Sequence, residues 1–273
     1  MPDKQDALAP SPSTVDAYTP PQMARLVEAV GVRKAKLTAI QTLTLGVLAG
    51  AFIAFGGMLY TLVMTDATLG FGLSRLVGGI AFSLGLILVV VGGAELFTGN
   101  NLIVMAWAER RVTTAELLRN WLLVYLANAL GAGAMVVFML LADGLSLGGS
   151  ALVLTAEGIA EGKLTLSFTE ALFRGILCNV LVCLAVWLCF AAHSVSGKIL
   201  AIVFPISAFV ALGFEHSIAN MYLIPIGMLV GPGFDLMALL GNLLPVTLGN
   251  VIGGGVLVAL VYWLVYLRAP ASR

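Results

Sequence analysis

Residues 92–104 read GGAELFTGNNLIV and residues 213–225 read GFEHSIANMYLIP. Each falls inside a very long apolar run. The first run covers residues 76–108 and is interrupted only by Glu95. The second covers residues 199–234 and is interrupted by Glu215 and His216. A straight helix of either length would be about 50 Å long at 1.5 Å per residue. That is too long for one bilayer crossing and too short for two crossings with a turn. Gly93 and Gly213 stand beside the interruptions. Each stretch therefore reads as one membrane crossing broken in mid-bilayer.

The rest of the 273-residue chain fits that reading. It is 60% hydrophobic and only 10% charged. A soluble domain has about 25% charged residues, so a water-soluble enzyme is excluded. Fourteen basic and fourteen acidic residues cancel, which leaves no basic surface for nucleic acid. Residues 37–65, 120–142, 175–197 and 236–267 contain no Asp, Glu, Lys or Arg, and each can cross a hydrocarbon core. The expected fold is all-α and integral to the membrane, with six transmembrane helices of which the second and fifth are broken. Cys178, Cys183 and Cys189 share one apolar run. They read as small buried hydrophobes with no metal or redox motif, and no cofactor is expected.

The loops set an orientation. With the N-terminus inside, eleven of the fourteen Lys and Arg residues lie on the inner side. Arg75, Lys163 and Arg174 are the other three. Cytoplasmic loops are enriched in Lys and Arg, so both termini are expected in the cytoplasm. Residues 143–170 form an acidic outer loop in this reading. Residues 1–36 carry nine charges and no apolar h-region, so no cleavable signal peptide is expected. They form a cytoplasmic N-terminal segment, followed by a channel domain over 37–268 and a cytoplasmic tail over 269–273. Thr19 before Pro20 and Pro21 marks a helix start. Met23, Leu26, Val27 and Val30 then recur at helical spacing, which suggests an amphipathic helix on the inner interface.

The two broken stretches match each other. Both contain G-x-E-x4-N: Gly93, Glu95 and Asn100, then Gly213, Glu215 and Asn220. The following spans share N-x7-N-x2-G-x-G: Asn120, Asn128, Gly131 and Gly133, then Asn242, Asn250, Gly253 and Gly255. Three spans per copy is an odd number, so the second copy is inverted. Broken helices at matching places in inverted halves point to a midplane transport path. Half-helix N-termini facing that path present partial positive charge and free N–H groups, which favours an anion.

His216 lies at the second break, and an ionisable group at membrane depth is by default functional. Its imidazole could exchange a proton with a weak-acid anion. Thr98 lies at the first break and could bond it. Leu86, Leu96, Phe97, Phe82 and Phe209 could form apolar constrictions around the histidine. Glu95 and Glu215 read as staples that accept N–H groups freed at the breaks. Asn128 reads as a helix–helix hydrogen bonder, and Asn179 and Asn250 are further polar groups inside spans. Lys163 could draw anions to the outer mouth. No H-E-x-x-H or G-x-S-x-G motif is present, and His216 and Ser217 are adjacent, so their side chains point apart. A hydrolase is not expected.

GGAELFTGN at 92–100, GILCNVLVCLAVW at 175–187, GFEHSIANM at 213–221 and NLLPVTLGNVIGGG at 242–255 resemble the motifs of the formate–nitrite transporter family. RLVGGIAFSLGLILVVVGGAELFT at 75–98 and Pro245 are most similar to its formate channels. The resemblance implies a homopentamer whose protomers each hold a pore in an aquaporin-like inverted 3+3 repeat. It implies small monovalent anions as substrates: formate, nitrite or hydrosulfide. It assigns His216 as the central histidine, Thr98 as its loop partner, and Asn179 and Asn250 as pore-lining asparagines. It places Leu86, Leu96 and Phe97 at an inner constriction, Phe82 and Phe209 at an outer one, and Lys163 at the outer mouth. A bacterial inner membrane is the expected location.

Overall fold

The computed structural model describes residues 17–65 and 68–268. They are helical almost throughout. Helix α1 runs Pro20–Ala35, α2 Ala39–Met64 and α3 Phe71–Gly92. After a non-helical stretch, a 3₁₀ segment Gly99–Ile103 leads into α4, Val104–Ala108. Then follow α5 Thr114–Leu141, α6 Ser150–Leu164, α7 Phe168–Ala191, α8 Val195–Ala211 and α9 Ser217–Val230. Helix α10, Leu236–Val251, continues through a π-helical stretch Ile252–Leu260 into α11, Val261–Tyr266.

Among the described residues five helical stretches are long and apolar enough to cross a membrane: α2, α3, α5, α7 and the continuous α10–α11 rod. Large apolar side chains such as Leu122, Leu130 and Phe173 remain exposed on their outer faces. A surface of that kind suits lipid or a partner chain. Local sequence sets the starts. Thr38 with Gln41, Thr113 with Glu116 and Ser167 with Glu170 form reciprocal capping boxes, each of which satisfies two orphan N–H groups. Gly93 and Gly213 sit at φ 81° and 72°, where a Cβ is disfavoured, and there α3 and α8 end. Both breaks expected from the sequence lie at these points.

Small residues let the helices cross closely. A Cβ on Gly131 of α5 would run into the Val47 carbonyl of α2. A Cβ on Gly253 would meet the Ile176 carbonyl of α7 in the same way. These two glycines hold the same place in the repeated motif.

Two expectations need correction. Residues 143–170 are largely helix α6 rather than a loop. Leu152, Ala156 and Ala160 are its buried residues, a single stripe at every fourth position. The N-terminal helix begins at Pro20 behind Thr19, but its apolar face is covered by protein. Met23, Ala24, Val27 and Gly31 are buried, and Gly31 faces Ala106 of α4 and Ile103 of the 3₁₀ segment. The 3₁₀ segment and α4 are too short to bury themselves, so α1 roofs them. Residues 1–16 and the tail 269–273 lie outside the described residues.

Candidate functional site: two breaks joined at a histidine

The two breaks meet at their tips. Thr98 Oγ1 lies 3.0 Å from His216 Nε2, and both residues are buried. His216 is also the N-cap of α9, with Nδ1 accepting the Ala219 N–H at 3.1 Å. A nitrogen that accepts carries no proton, so the neutral ring holds its hydrogen on Nε2 and donates to the Thr98 hydroxyl. The hydroxyl keeps its own hydrogen for another acceptor. A second proton on the ring can enter only at Nδ1, and it would displace the Ala219 cap. The Thr98 carbonyl is held by Asn179 Nδ2 at 3.3 Å and Cys183 Sγ at 3.4 Å.

Each break is stitched by the asparagine in the second place of the repeated motif. Asn128 donates through Nδ2 to Gly46 O at 2.7 Å and Glu95 O at 2.9 Å. Its Oδ1 accepts the Phe97 N–H at 2.9 Å. Asn250 donates to Gly175 O at 2.8 Å and Glu215 O at 3.0 Å, and accepts the Ser217 N–H at 2.9 Å. One buried amide thus satisfies a carbonyl and an N–H that helical bonding has released at the break, and ties them to a carbonyl of the neighbouring helix, Gly46 in α2 or Gly175 in α7. Such groups left bare would each cost about 1–3 kcal/mol.

The glutamates hold the breaks through side chains, not through the backbone N–H groups assigned to them from sequence. Lys34 Nζ contacts Glu95 Oε1 at 2.9 Å and Asn100 Oδ1 at 3.0 Å. Asn100 Nδ2 donates to Glu95 Oε2 at 2.8 Å and to Asn120 Oδ1 at 3.0 Å, and Asn120 returns to the Lys34 carbonyl at 3.2 Å. In the other half Lys163 Nζ contacts Glu215 Oε1 at 2.9 Å. Asn220 Nδ2 donates to Glu215 Oε2 at 2.7 Å and Asn242 Oδ1 at 2.8 Å, and Asn242 returns to the Lys163 carbonyl at 2.9 Å. Lys163 is no solvated loop lysine: its side chain is 14% exposed. Lys34, which sequence reasoning counted only as an inner charge, occupies the matching position. A signal for it was present. Lys34, Thr38 and Gln41 repeat the spacing of Lys163, Ser167 and Glu170.

Two cavities of about 440 Å³ flank the joined breaks. The α1-side cavity is lined by Leu86, Leu96, Glu95, Lys34, Arg33 and Lys198 among others. The α6-side cavity is lined by Phe82, Phe209, His216, Lys163, Glu215, Arg75 and Arg174 among others. Each therefore shows three cations and one carboxylate, although the whole chain is neutral. The Phe209 ring stacks on His216 at 5.9 Å, and Phe82 meets Phe209 edge-on at 5.8 Å. The Phe97 ring turns toward α5 and lies edge-on to Trp121 and Tyr125. Asn179 is fully buried and donates to Asn101 Oδ1 at 3.0 Å and Asn250 O at 2.7 Å. The site thus gathers His216, Thr98, Asn179 and Asn250 in one connected cluster, with Leu86 and Leu96 on one side and Phe82 and Phe209 on the other. Among the described residues no group of His, Cys, Asp and Glu could hold a metal ion.

The same segments match a family model described as formate/nitrite transporter, over residues 21–264. The chain belongs to the formate/nitrite transporter family. It is 42% identical to the formate channel FocA of Escherichia coli K12, with 93% of this chain and 96% of that protein covered. It is 41% identical to a probable formate transporter of Methanothermobacter thermautotrophicus, covering 92% and 97%. A solved structure described as a pentameric formate channel with formate bound superposes with a TM-score of 0.75 at 38% identity, over 84% of this chain and 98% of that one. A structure described as an FNT family ion channel gives 0.80 at 30% identity, covering 89% and 98%. The family is one of membrane transport proteins, and the chain is accordingly an integral membrane protein, not an enzyme.

Proposed function

We propose that the chain is a channel for small monovalent weak-acid anions, formate first among them, working as a homopentamer in the inner membrane with both termini cytoplasmic. The observation that carries this reading is the Thr98–His216 bond between two cavities that each hold more cations than carboxylates. The relatives described as formate channels support the choice of formate.

The architecture that fits is six crossings in an aquaporin-like inverted repeat. Here α3 with the 3₁₀ segment and α4 is the second crossing, and α8 with α9 is the fifth. In its support, the Lys–Glu–Asn–Asn cluster, the asparagine stitch and the close glycine recur in both halves. The α1 side is then the cytoplasmic side, where most Lys and Arg residues fall.

In this reading Lys163 and Lys34 draw anions into the two mouths. Glu215 and Glu95 position these lysines and cancel only one charge at each mouth. Phe82 and Phe209 narrow the outer approach to His216. Leu86 and Leu96, with Phe97 behind them, make the inner apolar step, and Asn179 and Asn250 keep the breaks rigid. An ion that crosses an apolar neck loses its hydration at great cost, whereas a neutral acid loses far less. Formate therefore crosses best after it takes a proton at His216 and Thr98. The ring first takes a second proton from the entry side. Its Nε2–H bond then breaks as Thr98 Oγ1 takes that hydrogen, and the Thr98 O–H hydrogen passes to a carboxylate oxygen. The ring is left neutral, and the acid gives its proton to water on the far side.

The test is flux into proteoliposomes, with formate, nitrite, hydrosulfide and lactate in competition. His216→Asn keeps an acceptor for the α9 cap but cannot titrate. It is expected to flatten the pH dependence of formate flux. An unchanged pH profile would remove the proton step, and absence of anion flux from the native protein would remove the channel.

A further inference from the structure

The outer mouth holds a pair of arginines to which no role has yet been given. Arg75, in the first turns of α3, donates from Nε to Ala211 O at 2.6 Å and from Nη2 to Val210 O at 3.0 Å. Arg174 of α7 reaches Gly213 O with Nη1 at 3.5 Å. Both guanidiniums converge on the turn that ends α8. A Cβ on Gly213 would lie 3.1 Å from Arg75 Nη2 and 3.9 Å from Arg174 Nη1. Both residues line the cavity that also holds Lys163 and His216. Among the described residues neither forms an ion pair with a carboxylate.

Capping alone does not account for the pair. Arg75 uses two of its five N–H donors on carbonyls and Arg174 uses one, so among the described residues most of their donors have no partner. The other half of the molecule also does without Arg174. The Glu215 N–H bonds Arg174 O at 3.2 Å, and the Glu95 N–H bonds Leu45 O at the same distance. A leucine therefore serves at the matching place. The charge at 174 is an addition on one side only.

We propose that Arg75 and Arg174 form an anion station at the outer mouth that selects planar carboxylates and oxyanions over spherical anions. A guanidinium presents parallel N–H donors that match the two oxygens of a carboxylate, whereas an ammonium acts as a point charge. Formate, nitrite and lactate offer such a pair of oxygens. Hydrosulfide and chloride do not. The station loads the planar anion before it reaches Lys163 and the Phe82–Phe209 approach. The inference rests on the channel reading above.

The experiment measures half-saturating concentrations for formate and hydrosulfide flux in proteoliposomes, for the native protein, Arg75→Lys and Arg174→Leu. Lysine at 75 keeps the charge and can still cap α8. Leucine at 174 is the residue the other half already uses in the same backbone setting. Each variant is expected to raise the formate value relative to the hydrosulfide value by about tenfold, the effect of losing one charge-assisted hydrogen bond. If both values move together, or neither moves while only thermal stability falls, the arginines are caps and the station is overturned. A native protein that conducts no formate would overturn this inference together with the channel itself.

Discussion

At the residue scale the molecule depends on side chains that each answer several backbone groups. Asn128 and Asn250 are fully buried and make three hydrogen bonds apiece. Alanine at either position leaves a buried N–H and a carbonyl of the break without a partner. A loss of about 3 kcal/mol is expected for each, read as an earlier unfolding midpoint in a detergent titration. Equal midpoints for native and variant would contradict the stitch. Thr98 is tested differently. Thr98→Val keeps the shape but removes the hydroxyl that receives the His216 Nε2 hydrogen. Formate flux should fall about tenfold, as for about 1.4 kcal/mol of lost transition-state stabilisation, whereas Thr98→Ser should retain most of it. The residue types at both positions could be read from the sequence. Their partners could not, because Phe97 lies 31 positions from Asn128 and His216 lies 118 from Thr98.

At the element scale the short pieces beyond the breaks depend on what covers them. Helix α1 is fastened over the 3₁₀ segment by Lys34 on Glu95 and by Arg111 on Glu28 at 2.8 Å. Helix α6 reaches the second break through Lys163 on Glu215. A buried ion pair that loses one partner strands the other charge, and this costs more than the loss of both. Lys34→Met should therefore destabilise the protein more than the double variant Lys34→Met with Glu95→Gln. Thermal unfolding of the two in the same detergent decides this, and a double variant weaker than the single one would contradict it. The long helices were visible as charge-free runs. Helix α6 was not, because a stripe of three buried residues amid Glu157, Glu161 and Lys163 resembles an acidic loop. The covered face of α1 was misplaced for a related reason. Its periodic apolar residues declare that something buries them, without saying whether that is lipid or protein.

At the scale of the whole molecule a neutral chain is divided into two cationic mouths and an apolar surface. Burial of Glu95 and Glu215 beside lysines leaves an excess of two positive groups in each cavity. The proposed orientation can be read from outside intact cells. Ser146 lies in the α5–α6 turn and Ser196 at the start of α8, both exposed. The three native cysteines are buried and add little background. An impermeant maleimide should label Ser146→Cys and spare Ser196→Cys, and the opposite pattern would invert the topology.

The sequence by itself determined that the chain is a helical membrane protein, where two of its apolar runs break, and that two motifs occur twice in the same order. Hydropathy, helix length and glycine placement are local properties, and the bilayer imposes the same demand on every segment. Only the tertiary structure decided which groups close the breaks: the pairing of Thr98 with His216, the matching of Lys34 to Lys163, and the convergence of Arg75 and Arg174 on Gly213. Those contacts join residues far apart along the chain. Their geometry follows from how the helices cross, to which the one-dimensional pattern of apolar residues is blind.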